Sequence, residues 1–218
     1  MYFHDRAEAG DLLANQLIDY RTEDTIVLAL SPGGVLVGEQ IARRLHTNLL
    51  LLVTERISAP GDQSLVLGTI DQAGLYTANN LIAAGQMEEY MEDMRGWVEE
   101  EKMRKLYDMA TAVDGGGQVE PSQLRDKVVI LATDGVKNGI SFDAAKHFLT
   151  KIHVEKTIGA IPVGPGEVIE RLSQLIDEVH YLSIPNDFFS VSHYYTDEAP
   201  ITPERVRDAL DNVVTRWL

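Results

Sequence analysis

The segment Thr133-Asp134-Gly135-Val136-Lys137-Asn138-Gly139-Ile140-Ser141 lies between an apolar run, Val128 to Ala132, and a helical pattern that begins at Phe142. Glycine lets a backbone turn sharply or approach a ligand closely, and the N–H groups that open a helix have no partner inside it. Such a turn can hold an anion locally, whatever the net charge of the chain. It can equally be a plain strand-to-helix connection in which Asp134 is a cap. Ser31-Pro32-Gly33-Gly34 has the same layout, after the apolar run Thr25 to Leu30 and before a helix that turns Val37, Ile41 and Leu45 inward. By itself it also reads as an ordinary turn. Arg56 follows the next apolar run, as a cation for an anionic ligand or for a neighbouring acid.

Other chemistries are disfavoured by residue type. There is no cysteine, so disulfides, thiolate zinc sites and a cysteine nucleophile are excluded. The histidines, His4, His46, His147, His153, His180 and His193, have no metal-ligand spacing. No Gly-x-Gly-x-x-Gly follows the first strand, which argues against a dinucleotide fold. A formal net charge of −15 disfavours nucleic acid, whose binding depends on Lys and Arg at the phosphates.

The elements that must position these turns follow from apolar periodicity. Buried strands are predicted at Thr25–Leu30, Asn48–Val53, Val128–Ala132, Thr157–Val163 and Glu178–Ile184, with helices at Phe142–Leu149 and Glu167–Ile176. Continuous apolar strands separated by helices predict parallel βαβ units covered on both faces. A first helix buries Leu12, Leu13, Leu17 and Ile18 and ends near Tyr20-Arg21. The last starts at Thr202-Pro203 and buries Val206, Leu210, Val213, Val214 and Trp217.

After Glu55 the rhythm breaks. Ser58 to Asp62 reads as a loop, Leu65 to Thr77 as a hairpin turning near Gln72-Ala73-Gly74, and Gln86 to Met109 as one long helix. Met87, Met91, Met94 and Val98 form a stripe on that helix, read as ordinary packing. Ala112 to Glu120, with Gly115-Gly116-Gly117, reads as a flexible loop. The fold class is thus α/β, a mainly parallel central sheet flanked by helices. One domain spans 1–218, with 60–110 as a flap or dimer element.

Phe3 to Ala14, Ala29 to Val35 and Val128 to Ser141 together resemble the type I phosphoribosyltransferase family. Arg56-Ile57-Ser58-Ala59-Pro60, Ala160-Ile161-Pro162-Val163 and Phe189-Ser190-Val191 to Tyr194-Tyr195 extend the likeness over nearly the whole chain. The resemblance implies loss of diphosphate from the ribose C1 of phosphoribosyl diphosphate and capture by a nucleophile such as a nucleobase. It assigns Asp134 and Thr133 to the ribose, with Mg²⁺ indirectly at Asp134. The turn Gly135, Val136, Lys137, Asn138, Gly139, Ile140 and Ser141 would take the 5′-phosphate, and Ser31, Pro32, Gly33 and Gly34 with Arg56 the diphosphate. Phe189 and Tyr194 would wall the acceptor, although the cluster Phe188, Phe189, Tyr194 and Tyr195 also reads as core. The chain departs from the family pattern at Thr133, where a second acid is usual, at Asn138 for threonine, at Pro32 for arginine and at Ser64 for an acid. Two functions follow as expectations: Mg²⁺-dependent phosphoribosyl transfer, or binding of a nucleotide or phosphate by an impaired sensor or partner subunit. A small phosphorylated ligand, a homo-oligomer, and a cytoplasmic protein with neither a membrane nor a nucleic-acid partner are expected.

Overall fold

Five apolar runs do form one parallel sheet, in the order β2-β1-β6-β7-β8. The computed structural model describes residues 1–112, 119–197 and 199–215. The sheet strands are β1 (Thr25–Ala29), β2 (Asn48–Leu51), β6 (Val128–Ala132), β7 (Lys156–Val163) and β8 (Glu178–Ser183). Every residue of β1 and of β6 is buried, as expected of strands covered on both faces. Alternation divides the core. Val128, Ile130 and Ala132 meet α1 (Arg6–Gln16), α2 (Pro32–Leu45) and α8 (Pro203–Thr215) on one side. Val129 and Leu131 meet α6 (Ile140–Leu149) and α7 (Gly166–Leu175) on the other.

The winding reverses between β1 and β6. From β1 the chain passes through α2 to β2 at one edge, whereas from β6 it passes through α6 and α7 to β8 at the other. The turns after β1 and β6 therefore flank a topological switch point, where open α/β sheets form a crevice beyond the strands' carboxyl ends.

The excursion is a second, antiparallel sheet of β3 (Thr54–Ala59), β4 (Asp62–Asp71) and β5 (Tyr76–Ala78), backed by α3 (Ala84–Asp93) and α4 (Arg95–Ala112). It has its own core of Ile57, Leu67, Ile70, Val98 and Met109, against which Met91 and Met94 pack. Three expectations are corrected. The excursion starts at Thr54, because Ser58 and Ala59 pair with β4 and leave only a tight turn at Pro60-Gly61. The expected long helix breaks at Met94, where α3 ends and α4 begins next to Gly96, a poor helix former. Ile18 lies in a 3-10 turn, Ile18–Thr22, and is exposed. A short helix α5 (Pro121–Leu124) leads into β6, and the expected Gly115 to Gly117 loop and Trp217 lie outside the described residues.

Candidate functional site at the switch point

The two turns meet. Ser31 caps α2 by accepting the Gly34 N–H at 2.9 Å, with Pro32 in the first helical turn, so the turn is fixed locally. Gly33 faces Asp134 so closely that a Cβ there would lie 2.0 Å from Oδ2, and only glycine fits. The Ser31 hydroxyl donates to Asp134 Oδ1 at 3.2 Å, and Arg6 Nε donates to Oδ2 at 2.9 Å. Both side chains of the ion pair are only 14% exposed. Arg6 also lies 4.6 Å above the Tyr195 ring, whose hydroxyl donates to the Asp134 carbonyl at 2.6 Å. Burial, with the Asp134 charge close by, pushes the Tyr195 hydroxyl well up from its ordinary range, so it remains a donor.

After Asp134 the chain descends to α6. Val136 is buried and anchored to β7 by its N–H to Val163 O at 2.9 Å. Gly139 caps α6 at φ 74°, in the left-handed region, and the Asn138 side chain accepts the Ile140 N–H at 3.3 Å. Among the described residues, the N–H groups of Lys137, Asn138, Gly139 and Ser141 find no acceptor in the chain. Lys137 is exposed beside them. The result is a run of unspent donors at a helix start, with a cation at its rim.

An ion pair with a buried acid and a half-buried guanidinium holds this turn from behind. Asp143, 8% exposed, receives Arg171 Nη1 on both oxygens at 2.9 and 3.2 Å, and Arg171 Nη2 donates to Asn138 O at 2.9 Å. Asn80, just beyond β5, donates to the same Asp143 at 3.0 Å and so ties the second sheet to the turn.

The remaining expected site residues divide. Thr133 is buried, and its hydroxyl is used inside the turn, donating to the Gly135 carbonyl at 3.0 Å. Tyr194 is 3% exposed, packed among Phe3, Val163 and Tyr195, with its hydroxyl on Asp187 O. Of the two acceptor-wall candidates only Phe189 is free to meet a ligand, at 70% exposed. Arg56 is exposed on β3, in the second sheet, and is not among the side chains that engage Asp134. Sequence reasoning missed Arg6, Asp143 and Arg171 as site residues, and it placed Tyr195 in the aromatic cluster beside the acceptor rather than under Arg6. For Arg6 the only local signal was its place after the cap Asp5; for Asp143 and Arg171, their helices flank the turn.

The expected Mg²⁺ has a poor donor set. Among the described residues no group of three or more His, Asp or Glu side chains converges. Asp134 is a single carboxylate with both oxygens already engaged, one of them by a guanidinium. Mg²⁺ takes nearly octahedral oxygen donors, most of them from substrate phosphates and water, so the expected indirect role asks one carboxylate of the protein, and Asp134 would have to share its oxygens with Arg6 and Ser31.

No family model matches the chain. Over 210 residues, 96% of the chain, it is 28% identical to proteins from two strains of Mycobacterium tuberculosis that carry the name "Putative phosphoribosyl transferase". The chain spans about half the length of these curated relatives, 46%. The crystal structure of TT1426 from Thermus thermophilus is 30% identical, with 96% of this chain and 98% of that one covered and a TM-score of 0.73. The AQ2163 protein of Aquifex aeolicus, 10% identical at a TM-score of 0.50 over 94% of this chain and 83% of its own, shares the fold alone.

Proposed function

The chain belongs to the type I phosphoribosyltransferase-like family, and from that premise we propose that it binds phosphoribosyl diphosphate and transfers the phosphoribosyl group to an acceptor nucleophile. One observation carries the reading: the turns after β1 and β6 close on each other at the switch point, Gly33 against Asp134, beside the unspent N–H groups that lead into α6. Those N–H groups and Lys137 take the 5′-phosphate, and the Ser31–Gly34 turn faces the diphosphate. In the transfer, the bond from ribose C1 to the diphosphate oxygen breaks and its electron pair leaves with the diphosphate. The acceptor's lone pair forms the new bond at C1, and its proton passes to solvent. The protein's contribution is orientation and charge. The exposed ring of Phe189 offers a stacking face for a planar acceptor.

Thr133 favours a second reading, a protein that holds the same ligand without turning it over. Its hydroxyl is buried beneath the turn, and Asp134 is neutralised by Arg6, so no free pair of carboxylates grips the ribose diol. Incubation with labelled phosphoribosyl diphosphate and a panel of nucleobases decides. Acceptor-dependent diphosphate release supports transfer, saturable binding without release supports the second reading, and no binding sinks both.

A further inference from the structure

The Ser31–Gly34 turn has no cation of its own, and both oxygens of the acid it touches are already engaged, one of them by a guanidinium. Arg6 reaches that point from α1, and its position is fixed in two ways: Nε is spent on Asp134, and the guanidinium face is spent on Tyr195. Among the described residues, neither terminal nitrogen of Arg6 has a hydrogen-bond partner. Arg6 also lines a cavity of about 580 Å³ that lies beside the two turns rather than between them, walled by Ser190, Ser192, His193, Tyr195 and Asp197 with no residue of either turn. Asp197, the acid on that wall, accepts the Ala199 N–H at 3.0 Å. A guanidinium held by its Nε and its face, with its outer fork unpaired, is a preorganised receptor for a phosphate group.

We propose that Arg6 is the resident cation of this cleft, and that its terminal nitrogens receive the diphosphate group of the ligand without a divalent metal. The proposal rests on the transferase-family reading of the cleft and deepens it. Asp134 is then a positioning residue, the tether that keeps Arg6 in place, and Tyr195 is the platform beneath.

The test is calorimetric titration with inorganic diphosphate in EDTA and again in excess Mg²⁺, with ribose 5-phosphate titrated in parallel. Diphosphate binding in EDTA, changed less than threefold by Mg²⁺, is expected. Arg6→Gln should weaken it at least tenfold and leave ribose 5-phosphate, held at the start of α6, within twofold. Arg6→Lys, which keeps the charge and loses the fork, should fall between. Should Arg6→Gln fail to fold by circular dichroism, Arg6→Lys and Tyr195→Leu, which removes the platform, carry the test, and each should weaken diphosphate at least threefold. Diphosphate binding that appears only with Mg²⁺, or that these variants leave unchanged, overturns the proposal. If ribose 5-phosphate still binds in that case, the reading of the cleft survives; if neither ligand binds under any condition, both are lost.

Discussion

Each end of the central sheet carries a charged cluster, and the two clusters are built to opposite specifications. At the amino ends of β7 and β8, Glu178 Oε2 accepts from Lys156 and from the Tyr20 hydroxyl at 2.5 and 2.7 Å, while Oε1 meets His180 at 2.6 Å. Lys156 also donates to Tyr20 at 2.7 Å and lies over its ring, so that cluster satisfies itself. Its hydrogen bonds and charges raise the Lys156 pKa and hold Glu178 down at about 2. At the carboxyl ends, among the described residues, Arg6 and Asp134 leave the guanidinium fork unpaired, and the turn beyond leaves N–H groups without acceptors. One cluster closes the sheet; the other keeps donors for a ligand. Unspent hydrogen-bonding capacity at a switch point is a better guide to function than charge alone.

The sharpest way to break this comparison is to remove what holds the open end. Arg171→Met strands the buried Asp143 charge and releases Asn138 O, and should cost about 3 kcal/mol of stability, read as a lower urea midpoint. It should also weaken ribose 5-phosphate binding about tenfold. Gly139→Ala comes next. Its left-handed φ costs an L-residue about 1–2 kcal/mol, and the new Cβ would lie 2.4 Å from Arg171 Nη2, so the guanidinium must move. A urea midpoint and ribose 5-phosphate affinity both unchanged in that variant would show that the turn is not held as described. Ser31→Ala removes the α2 cap and a bond to Asp134; about 1 kcal/mol should be lost, measured by thermal melting.

The smallest effect belongs to the closed end and depends on pH. Glu178 has a folded pKa of about 2 against an ordinary 4.5. Because the folded value is depressed, its contribution is fully present above about pH 4.5 and is lost as pH falls through the folded value. At 34% exposed, the pair is partly screened, so the contribution is modest. Glu178→Gln should flatten the acid limb of the stability profile between pH 4.5 and 2 and leave ribose 5-phosphate affinity unchanged.

The strands that carry the turns were legible because full burial leaves a plain mark: Thr25-Ile26-Val27-Leu28-Ala29 and Val128-Val129-Ile130-Leu131-Ala132 have no polar face. The two turns were legible from glycines that geometry then required, Gly33 for close approach and Gly139 for its positive φ. The cations were not. Arg6 reads locally as a solvated first-turn residue, and it is the packing of α1 on α2 and β7, together with the pairing of Phe3 with Tyr195, that carries it to Asp134. Asp143 and Arg171 read as solvated helix charges because their partnership crosses between α6 and α7. The break at Met94 was hidden because Met87, Met91, Met94 and Val98 keep helical spacing across it.

The Phe3–Tyr195 bridge has a consequence for folding order. Phe3 N–H donates to Tyr194 O at 2.8 Å, and the N–H groups of Thr196 and Asp197 return to Phe3 O and His4 O at 2.9 and 2.8 Å. Contacts between segments so far apart in sequence pay a large loop-closure entropy unless the intervening chain has already condensed. The β1–β2, β6–β7 and β7–β8 pairings join segments close in sequence, while Arg6 meets its aromatic platform only when the two distant segments are stitched together. A nascent chain can therefore hold most of its core before it has a finished cleft, and ligand competence should trail the gain of secondary structure in refolding.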